Sequence, residues 1–327
     1  MSSVKSNAPE KNVRPAVLVS RCVSFEHCRW NGDMIASPYI EKLKNYIDFI
    51  TVCPESDIGL GVPRKPVRLV HSDHGIDMVQ HETGRICTDL MNDFSSTFFM
   101  SLQSIDGFVY KEKSPSCGMS NVKIHSGIEG GATVRETGSG LFGAAFKNVF
   151  PQTPVCSEGH LYNFMLREHF YTQIYTLARF RLIFDNPEMK HLVDFHARHK
   201  LILMSYHQTI MRQLGKLVAN HEQHSPEIVF DEYLVLLCKA LAKPPKIVSP
   251  INVLMHAMGY FSEKISAVEK KFFLDTLEQY RHKKIPLSVC NAIIKSWIVR
   301  FNEQYLAAQY FFEPYPEALV ELSDSGK

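Results

Sequence analysis

Up to about residue 158 the sequence alternates short, β-prone apolar runs with helix-length segments; beyond that point the apolar period becomes three and four. This change of period constrains the fold more than any other feature. The short runs are Val13–Ser20, Phe49–Val52, Gly107–Lys111 and Pro154–Val155, with helical patterns between them at Pro38–Ile47, Thr83–Ile105 and Leu141–Val149. Strand, helix, strand at that spacing predicts an α/β domain built on a mostly parallel, Rossmann-like sheet. From His160 the helical period runs through Leu192–Val218, Glu227–Leu241, Pro250–Lys264 and Ala267–Tyr280, punctuated by Pro244-Pro245 and Ile285-Pro286. The second half is expected to be an all-α helical bundle. The organisation that follows is a polar tail over 1–12, an α/β domain over 13–159 and a helical domain over 160–327.

With 327 residues, 45% of them apolar, the chain can bury two cores. Its 36 basic and 34 acidic residues nearly balance, which argues against a polyanion-coating protein. The helical half holds 20 Lys and Arg against 17 Asp and Glu, with ten of the fifteen histidines, a tilt that permits nucleic-acid contact. No stretch approaches the roughly 18 apolar residues that span a bilayer, and the first residues lack the apolar core of a signal peptide. A cytoplasmic protein with no membrane partner is expected. In that compartment eight cysteines read as thiols, metal ligands or catalytic groups rather than disulfides.

Three of the cysteines share a topological position. Cys22 follows the first predicted strand by two residues, Cys53 ends the second, and Cys117 lies a few residues past the third. In a parallel sheet the carboxyl ends of all strands open on one edge, where ligands bind in doubly wound folds. A metal site and scattered core cysteines both remain open on spacing alone. No Cys-x-x-Cys pair supports structural zinc, while three-ligand zinc or an iron–sulfur cluster with one open iron fits dispersed cysteines. Cys87 (mid-helix), Cys156, Cys238 and Cys290 read as core thiols. Gly138–Gly143 could hold a phosphate on backbone N–H groups or make a tight helix start. His196, His199 and His207 read as packing or RNA-facing groups. Lys111 and Lys113 read as charge-offsetting or solvated. The basic clusters 198–200, 243–246 and 281–284 are candidate phosphate contacts, or solvated helix faces, with Arg198, Lys200, Arg281, Lys283 and Lys284 as the named candidates.

The segments "SRCVSFEHCRWNG" (Ser20–Gly32), "VCPES" (Val52–Ser56) and "SPSCG" (Ser114–Gly118) resemble the three signature segments of the TudS desulfidases. The second half, with "HLVDFHARHKLILMSYHQ", "HAMGYFSEKISAVEK", "YRHKKIPLSV" and "QYFFEPYP", resembles the helical YbgA-type domain. Together they are similar to the fused RudS-type desulfidases, which act on 4-thiouridine in tRNA. The resemblance implies a 4Fe-4S cluster ligated by Cys22, Cys53 and Cys117, whose fourth iron takes the thione sulfur. It also implies Glu55 as general acid/base, Ser114 as the serine that orients water or relays a proton, and thiolated tRNA as partner. Cys28 matches a cysteine of some relatives and is left as a near-site thiol or packing residue. Where the family reads Arg-Tyr-Asp-Gly this chain has Arg29-Trp30-Asn31-Gly32, so no role for that acid transfers. Two further readings stay open: a desulfidase for free thiouracil or thionucleosides, and a non-catalytic iron–sulfur sensor that binds RNA.

Overall fold

The computed structural model describes residues 13–127 and 133–320, which divide into two compact units, one over Arg14–Phe170 and one beginning at Tyr171. The expected polar tail over 1–12 lies outside the described residues. In chain order the first unit contains β1 (Ala16–Ser20), α1 (Pro38–Leu43), β2 (Asp48–Val52), β3 (Val67–Ser72), β4 (Gly75–Gln80) and β5 (Arg85–Ile86). These are followed by α2 (Thr88–Ser101), β6 (Gly107–Tyr110), β7 (Val122–His125), β8 (Val134–Gly138), α3 (Leu141–Val149) and β9 (Val155–Ser157).

Four of these strands form a sheet in the order β2-β1-β6-β9, and every neighbouring pair is parallel. The central strands β1 and β6 are near-continuous apolar runs because both their faces are covered. The central pair is dry: Val17, Leu18, Val19, Phe108 and Val109 are fully buried. On one side α2 and α3 supply an aromatic layer in which Phe142 and Phe146 lie 4.7 Å from Phe99 and 4.9 Å from Phe108, respectively. The α/β class with a parallel sheet read from the sequence is what the structure shows.

A second, five-stranded sheet was not legible as such. Its order is β5-β4-β3-β7-β8; β3 and β7 are parallel, and the other pairs antiparallel. The run expected to be helical from Thr83 instead enters this sheet at Arg85–Ile86, and the helix starts only at Thr88. Cys87 is therefore the buried residue that opens α2, not a mid-helix position. The local helical period of 88–101 is real, but residues before it are captured by pairing with β4, a tertiary effect that a propensity count cannot contain.

The second unit is helical throughout. From chain position 164 the helices are α4 (Phe164–Phe184), α5 (Met189–Ala219), α6 (Pro226–Leu241), α7 (Val248–Gly259), α8 (Ala267–Arg281), α9 (Leu287–Phe301) and the short α10 (Gln304–Ala307). Local signals set several ends: Ser266 and Glu269 close a reciprocal cap on α8, Pro226 occupies the first turn of α6, and Asn302 ends α9 in the left-handed region at φ 51°. Helix α5 bends at His207, whose Nδ1 accepts from the backbone N–H of Ile210 at 3.4 Å.

His196 and His199 of α5 belong to the core of this unit. His199 stacks between Phe195 and Tyr310 at centroid distances of 3.9 and 4.5 Å and bonds the Phe195 carbonyl through Nδ1 at 2.8 Å. His196 shares a hydrogen bond of 3.0 Å with the Tyr233 hydroxyl. Burial, reinforced by Lys200, pulls His196 down to about 4, and burial with Arg179 pulls His199 well below the ordinary histidine range. An unfolded histidine takes a proton below about pH 6.5 while these stay neutral, so stability is lost as pH falls from 6.5 toward 4, at about 1.4 kcal/mol per pH unit for each. Denaturant unfolding read from Trp297, in the core of this unit, is expected to have a lower midpoint at pH 5 than at pH 7 in a Trp30→Phe background. Equal midpoints would contradict the neutral burial of these two rings.

Candidate functional site

The parallel sheet delivers its loops to one edge. β1 runs out into Arg21 and Cys22, β2 into Cys53–Glu55, β6 into the loop 111–118, and β9 into Glu158. The loops are stitched to the strands: the Arg21 N–H donates to the Val52 carbonyl at 2.8 Å, and the Lys111 N–H to Ser20 Oγ at 3.0 Å. Between them lies a cleft of about 270 Å³ lined by four thiols, Cys22, Cys28, Cys53 and Cys117. The three cysteines picked out by strand position thus meet in one cleft, and Cys28 joins them.

None of the eight cysteines is in a disulfide. Cys28, Cys53 and Cys117 are buried and Cys22 half-buried. Cys28 makes side-chain hydrogen bonds with both Cys22 and Cys53. The bond to Cys22, with burial, pushes Cys28 up to about 12; the bond to Cys28, with burial, pushes Cys53 upward; burial pushes Cys117 up to about 12. Two of the cations that line the cleft are already committed, Arg64 to Glu55 and Lys111 to Glu158. A set of thiols whose ionisation burial opposes is a site where a metal would supply positive charge and deprotonate its ligands. The donors are all soft sulfur, which suits iron–sulfur, zinc or copper(I) centres over hard cations. Among the described residues no three His, Cys, Asp or Glu side chains converge closely enough to hold a single ion.

Glu55 lies against this cleft, and its carboxylate is enclosed. Oε2 accepts from Arg64 Nε at 2.9 Å and Nη2 at 2.7 Å, and Oε1 accepts from Ser116 Oγ at 2.8 Å. The pair is nearly dry, with the Arg64 and Glu55 side chains 4% and 11% exposed. Ser114 connects to Glu55 through Ser116, the two hydroxyls lying 2.9 Å apart. Its Oγ also accepts from the N–H groups of Ser116 and Cys117 at 3.3 and 3.2 Å, so Ser114 shapes the loop that carries Cys117.

Arg64 and Ser116 escape a reading of the sequence. Arg64 follows the cis Val62–Pro63 bond in a loop without a motif. Its Nη1 also donates to the carbonyls of Cys28 and Gly61, and its backbone N–H to that of Trp30, so one residue ties the Cys28–Trp30 loop to Glu55. The glycines of 138–143 serve close packing. The N–H groups of Gly140, Leu141 and Gly143 donate to the carbonyls of Gly118, Pro115 and Ser116, which leaves none of these three for a phosphate. A Cβ on Gly140 would stand 2.4 Å from the Ser116 carbonyl oxygen, and one on Gly143 2.4 Å from that of Gly118. Start of helix and cysteine loop interlock only because both positions are glycine. Lys111 is held by Glu158, while Lys113 is exposed.

In the helical unit, Arg198 pairs with Asp194 at 2.7 Å and Arg281 with Glu278 at 3.3 Å. Lys200, Lys283 and Lys284 are exposed, with no ion-pair partner among the described residues. No helix there or elsewhere in the described residues is long and apolar enough to cross a membrane.

Residues 17–158 match the family model described as 2-thiouracil desulfurase, and residues 200–316 match the one described as a protein of unknown function, DUF1722. The chain is 30% identical over 138 residues to the uncharacterized protein YbbK of Bacillus subtilis (strain 168), covering 40% of this chain and 89% of that one. It is 29% identical over 136 residues to the uncharacterized protein YbgA of Escherichia coli (strain K12), covering 41% of this chain and 80% of that one. Among solved structures, the [4Fe-4S]-dependent thiouracil desulfidase TudS aligns with 26% identity and a TM-score of 0.36, covering 45% of this chain and 93% of that one. The order of the matched segments follows the change of period in the sequence: the chain belongs to the 2-thiouracil desulfurase family, and carries a DUF1722 domain after the desulfurase segment.

Proposed function

We propose that residues 13–159 form an iron–sulfur-dependent desulfidase and that residues 160–327 present thiolated tRNA to it, so that 4-thiouridine becomes uridine. The observation that supports this most is the meeting of four thiols and a buried, hydrogen-bonded carboxylate in one cleft at the edge of a parallel sheet. Cys22, Cys53 and Cys117 are the ligands we assign to a 4Fe-4S cluster, on the three strand ends that point to the cleft. When bound, such a cluster supplies a soft Lewis acid with affinity for thione sulfur.

The chain's own residues then have to manage water and protons. A thione and water give a carbonyl and hydrogen sulfide with no electrons exchanged, so what is needed is a base for the water and an acid for the departing group. Glu55 takes the water proton and returns it, acting through Oε1, while Arg64 holds Oε2 in place. Ser116 and Ser114 extend from Oε1 as a line of hydroxyls, with links of 2.8 and 2.9 Å, along which a proton can pass. Free thiols throughout the chain accord with a reducing, cytoplasmic setting. Exposed Lys200, Lys283 and Lys284, with Arg198 and Arg281, are the RNA phosphate contacts we assign.

The test is anaerobic reconstitution with iron and sulfide, followed by nucleoside analysis of treated thiolated tRNA. Uridine is expected to replace 4-thiouridine; fully loaded protein that leaves 4-thiouridine untouched would overturn the assignment. A second reading, action on free thiouracil or thionucleosides, is favoured by the description of the family itself. Comparing turnover of intact tRNA with that of the free nucleoside separates the two.

A further inference from the structure

Cys28 is the thiol of the cleft that the proposed chemistry does not use. It is 1% exposed, and its sulfur is hydrogen-bonded to the sulfurs of both Cys22 and Cys53. It therefore stands between two of the three assigned ligands. The third keeps different company, with Ser116 Oγ 3.8 Å from Cys117 Sγ. Cys28 follows Cys22 by six residues, and the backbone folds that segment back on itself to bring the two sulfurs together. The Glu26 N–H donates to the Arg21 carbonyl at 3.0 Å, the Cys28 N–H to that of Glu26 at 2.9 Å, and Ser24 turns the chain at φ 63°. Both ends are fixed from outside the turn. The Ile35 N–H donates to the Cys22 carbonyl at 2.8 Å, and Arg64 Nη1 to that of Cys28 at 2.9 Å. Two sulfurs kept in contact by an anchored backbone meet the geometric demand of a disulfide, which diverging side chains do not.

Exposure decides which sulfur an oxidant meets first. Cys22 is half-buried, whereas Cys28, Cys53 and Cys117 are buried, so attack from solvent falls on Cys22. Cys53 is further sheltered, with Ser56 Oγ 3.4 Å from its sulfur and the Cys28 carbonyl oxygen 3.7 Å away. An accessible cysteine without its iron climbs from sulfenic to sulfinic acid, a step that a thiol reductant does not reverse. A second thiol in contact with the first intercepts the sulfenic acid before that step, and Cys28 occupies that position.

We infer that Cys22 and Cys28 form a reversible redox pair, in which Cys28 captures oxidised Cys22 as a disulfide and so keeps the cleft able to take up iron again. The oxidant is a peroxide. The Cys22 sulfur takes one hydroxyl of hydrogen peroxide as the O–O bond breaks, and the other hydroxyl leaves with the thiol proton as water. The Cys28 sulfur then attacks the Cys22 sulfur, the S–O bond breaks, and the hydroxyl leaves with the Cys28 proton as a second water. Two thiols and one hydrogen peroxide thus give one disulfide and two waters, and the two electrons lost by sulfur are gained by the peroxide oxygens. A dithiol reductant returns both thiols by exchange. The inference rests on the reading of Cys22 as a cluster ligand, and adds a regulation of that site: the disulfide withdraws one of three ligands until it is reduced.

The sequence supplies the assay. Trypsin cuts after Arg21 and Arg29, so Cys22 and Cys28 fall in one peptide, 22–29, while Cys53 falls in 45–64 and Cys117 in 114–123. The full-length, reconstituted protein is treated with hydrogen peroxide until the cluster absorbance is lost, alkylated in denaturant and digested without reductant. Peptide 22–29 is expected to be lighter than its dithiol form by two hydrogen atoms and to carry no alkyl group, with 45–64 alkylated. After dithiol reduction, fresh iron and sulfide should restore about four iron atoms per chain. In Cys28→Ser, peptide 22–29 should carry sulfinic acid at Cys22, and the iron regained should fall to about one atom per chain or fewer, measured against the variant's own load before peroxide. A cross-link joining 22–29 to 45–64, or a Cys28→Ser variant that regains iron as fully as wild type, would overturn the inference. Failure of the underlying reading looks different. Protein that takes up no iron at the outset sinks the cluster assignment alone, because the peptide assay reads equally well on the iron-free chain. Loaded protein whose 22–29 peptide keeps both thiols through loss of the cluster sinks the redox pair alone.

Discussion

Alanine at Cys22, Cys53 or Cys117 is expected to strip the anaerobically reconstituted protein of iron, from about four atoms per chain to fewer than one. Alanine at Cys28 is expected to leave most of that iron in place. The distinction comes from where each sulfur is anchored. Cys22, Cys53 and Cys117 issue from three neighbouring parallel strands whose register is fixed by pairing on both sides of β1. Cys28 hangs from the Arg29–Gly32 turn, and Arg64 rather than the sheet holds its backbone carbonyl, at 2.9 Å. Three anchored ligands leave a coordination position for an outside sulfur; four would close it. Iron content and visible absorbance of the four single variants decide the matter, with Cys→Ser versions to separate ligand loss from a packing defect. If Cys28→Ala loses iron as completely as the rest, the vacancy that desulfidation requires is filled by the protein, and the proposed chemistry has nowhere to occur.

That arrangement was partly legible in the sequence. Strands β1 and β6 announce themselves as apolar runs because the sheet buries both their faces, β2 as the β-prone run Phe49–Val52, and the loop that follows each strand carries its cysteine to one edge by topology. The second sheet shows the opposite case. Its β3–β4 hairpin, "VRLVHSDHGIDMVQ", interleaves charged and apolar residues over six-residue strands, and β5 is only two residues long. Such segments declare themselves only through their partners. Glu55 was locatable by its distance from Cys53, two residues along one strand end. Its contacts were not: Ser116 lies 61 residues away in sequence, and Arg64 sits in a loop between prolines that any surface turn could resemble. Trp30 was visible as a departure from the family's tyrosine, but its exposure beside four thiols is a fact of packing.

Glu55→Gln is expected to retain iron and lose about 10²- to 10⁴-fold in kcat, the range of a positioned acid–base group. The substitution is nearly isosteric, so the cleft keeps its shape, but an amide has one acceptor oxygen where the carboxylate has two. Ser116 Oγ and the Arg64 guanidinium then compete for it, and a buried guanidinium is left without a counter-charge, which costs about 3–5 kcal/mol when one partner of a dry pair is removed. Lost activity alone would therefore be ambiguous between chemistry and a disturbed loop. The Glu55→Gln/Arg64→Gln double variant resolves it, because two neutral amides can bond each other and leave no buried charge. It should be more stable to denaturant than either single variant while remaining as inactive as Glu55→Gln. Recovery of turnover together with stability would reduce Glu55 to a structural counter-ion. A Glu55→Gln protein that turns over normally would go further, and remove Glu55 from the chemistry of the cleft altogether.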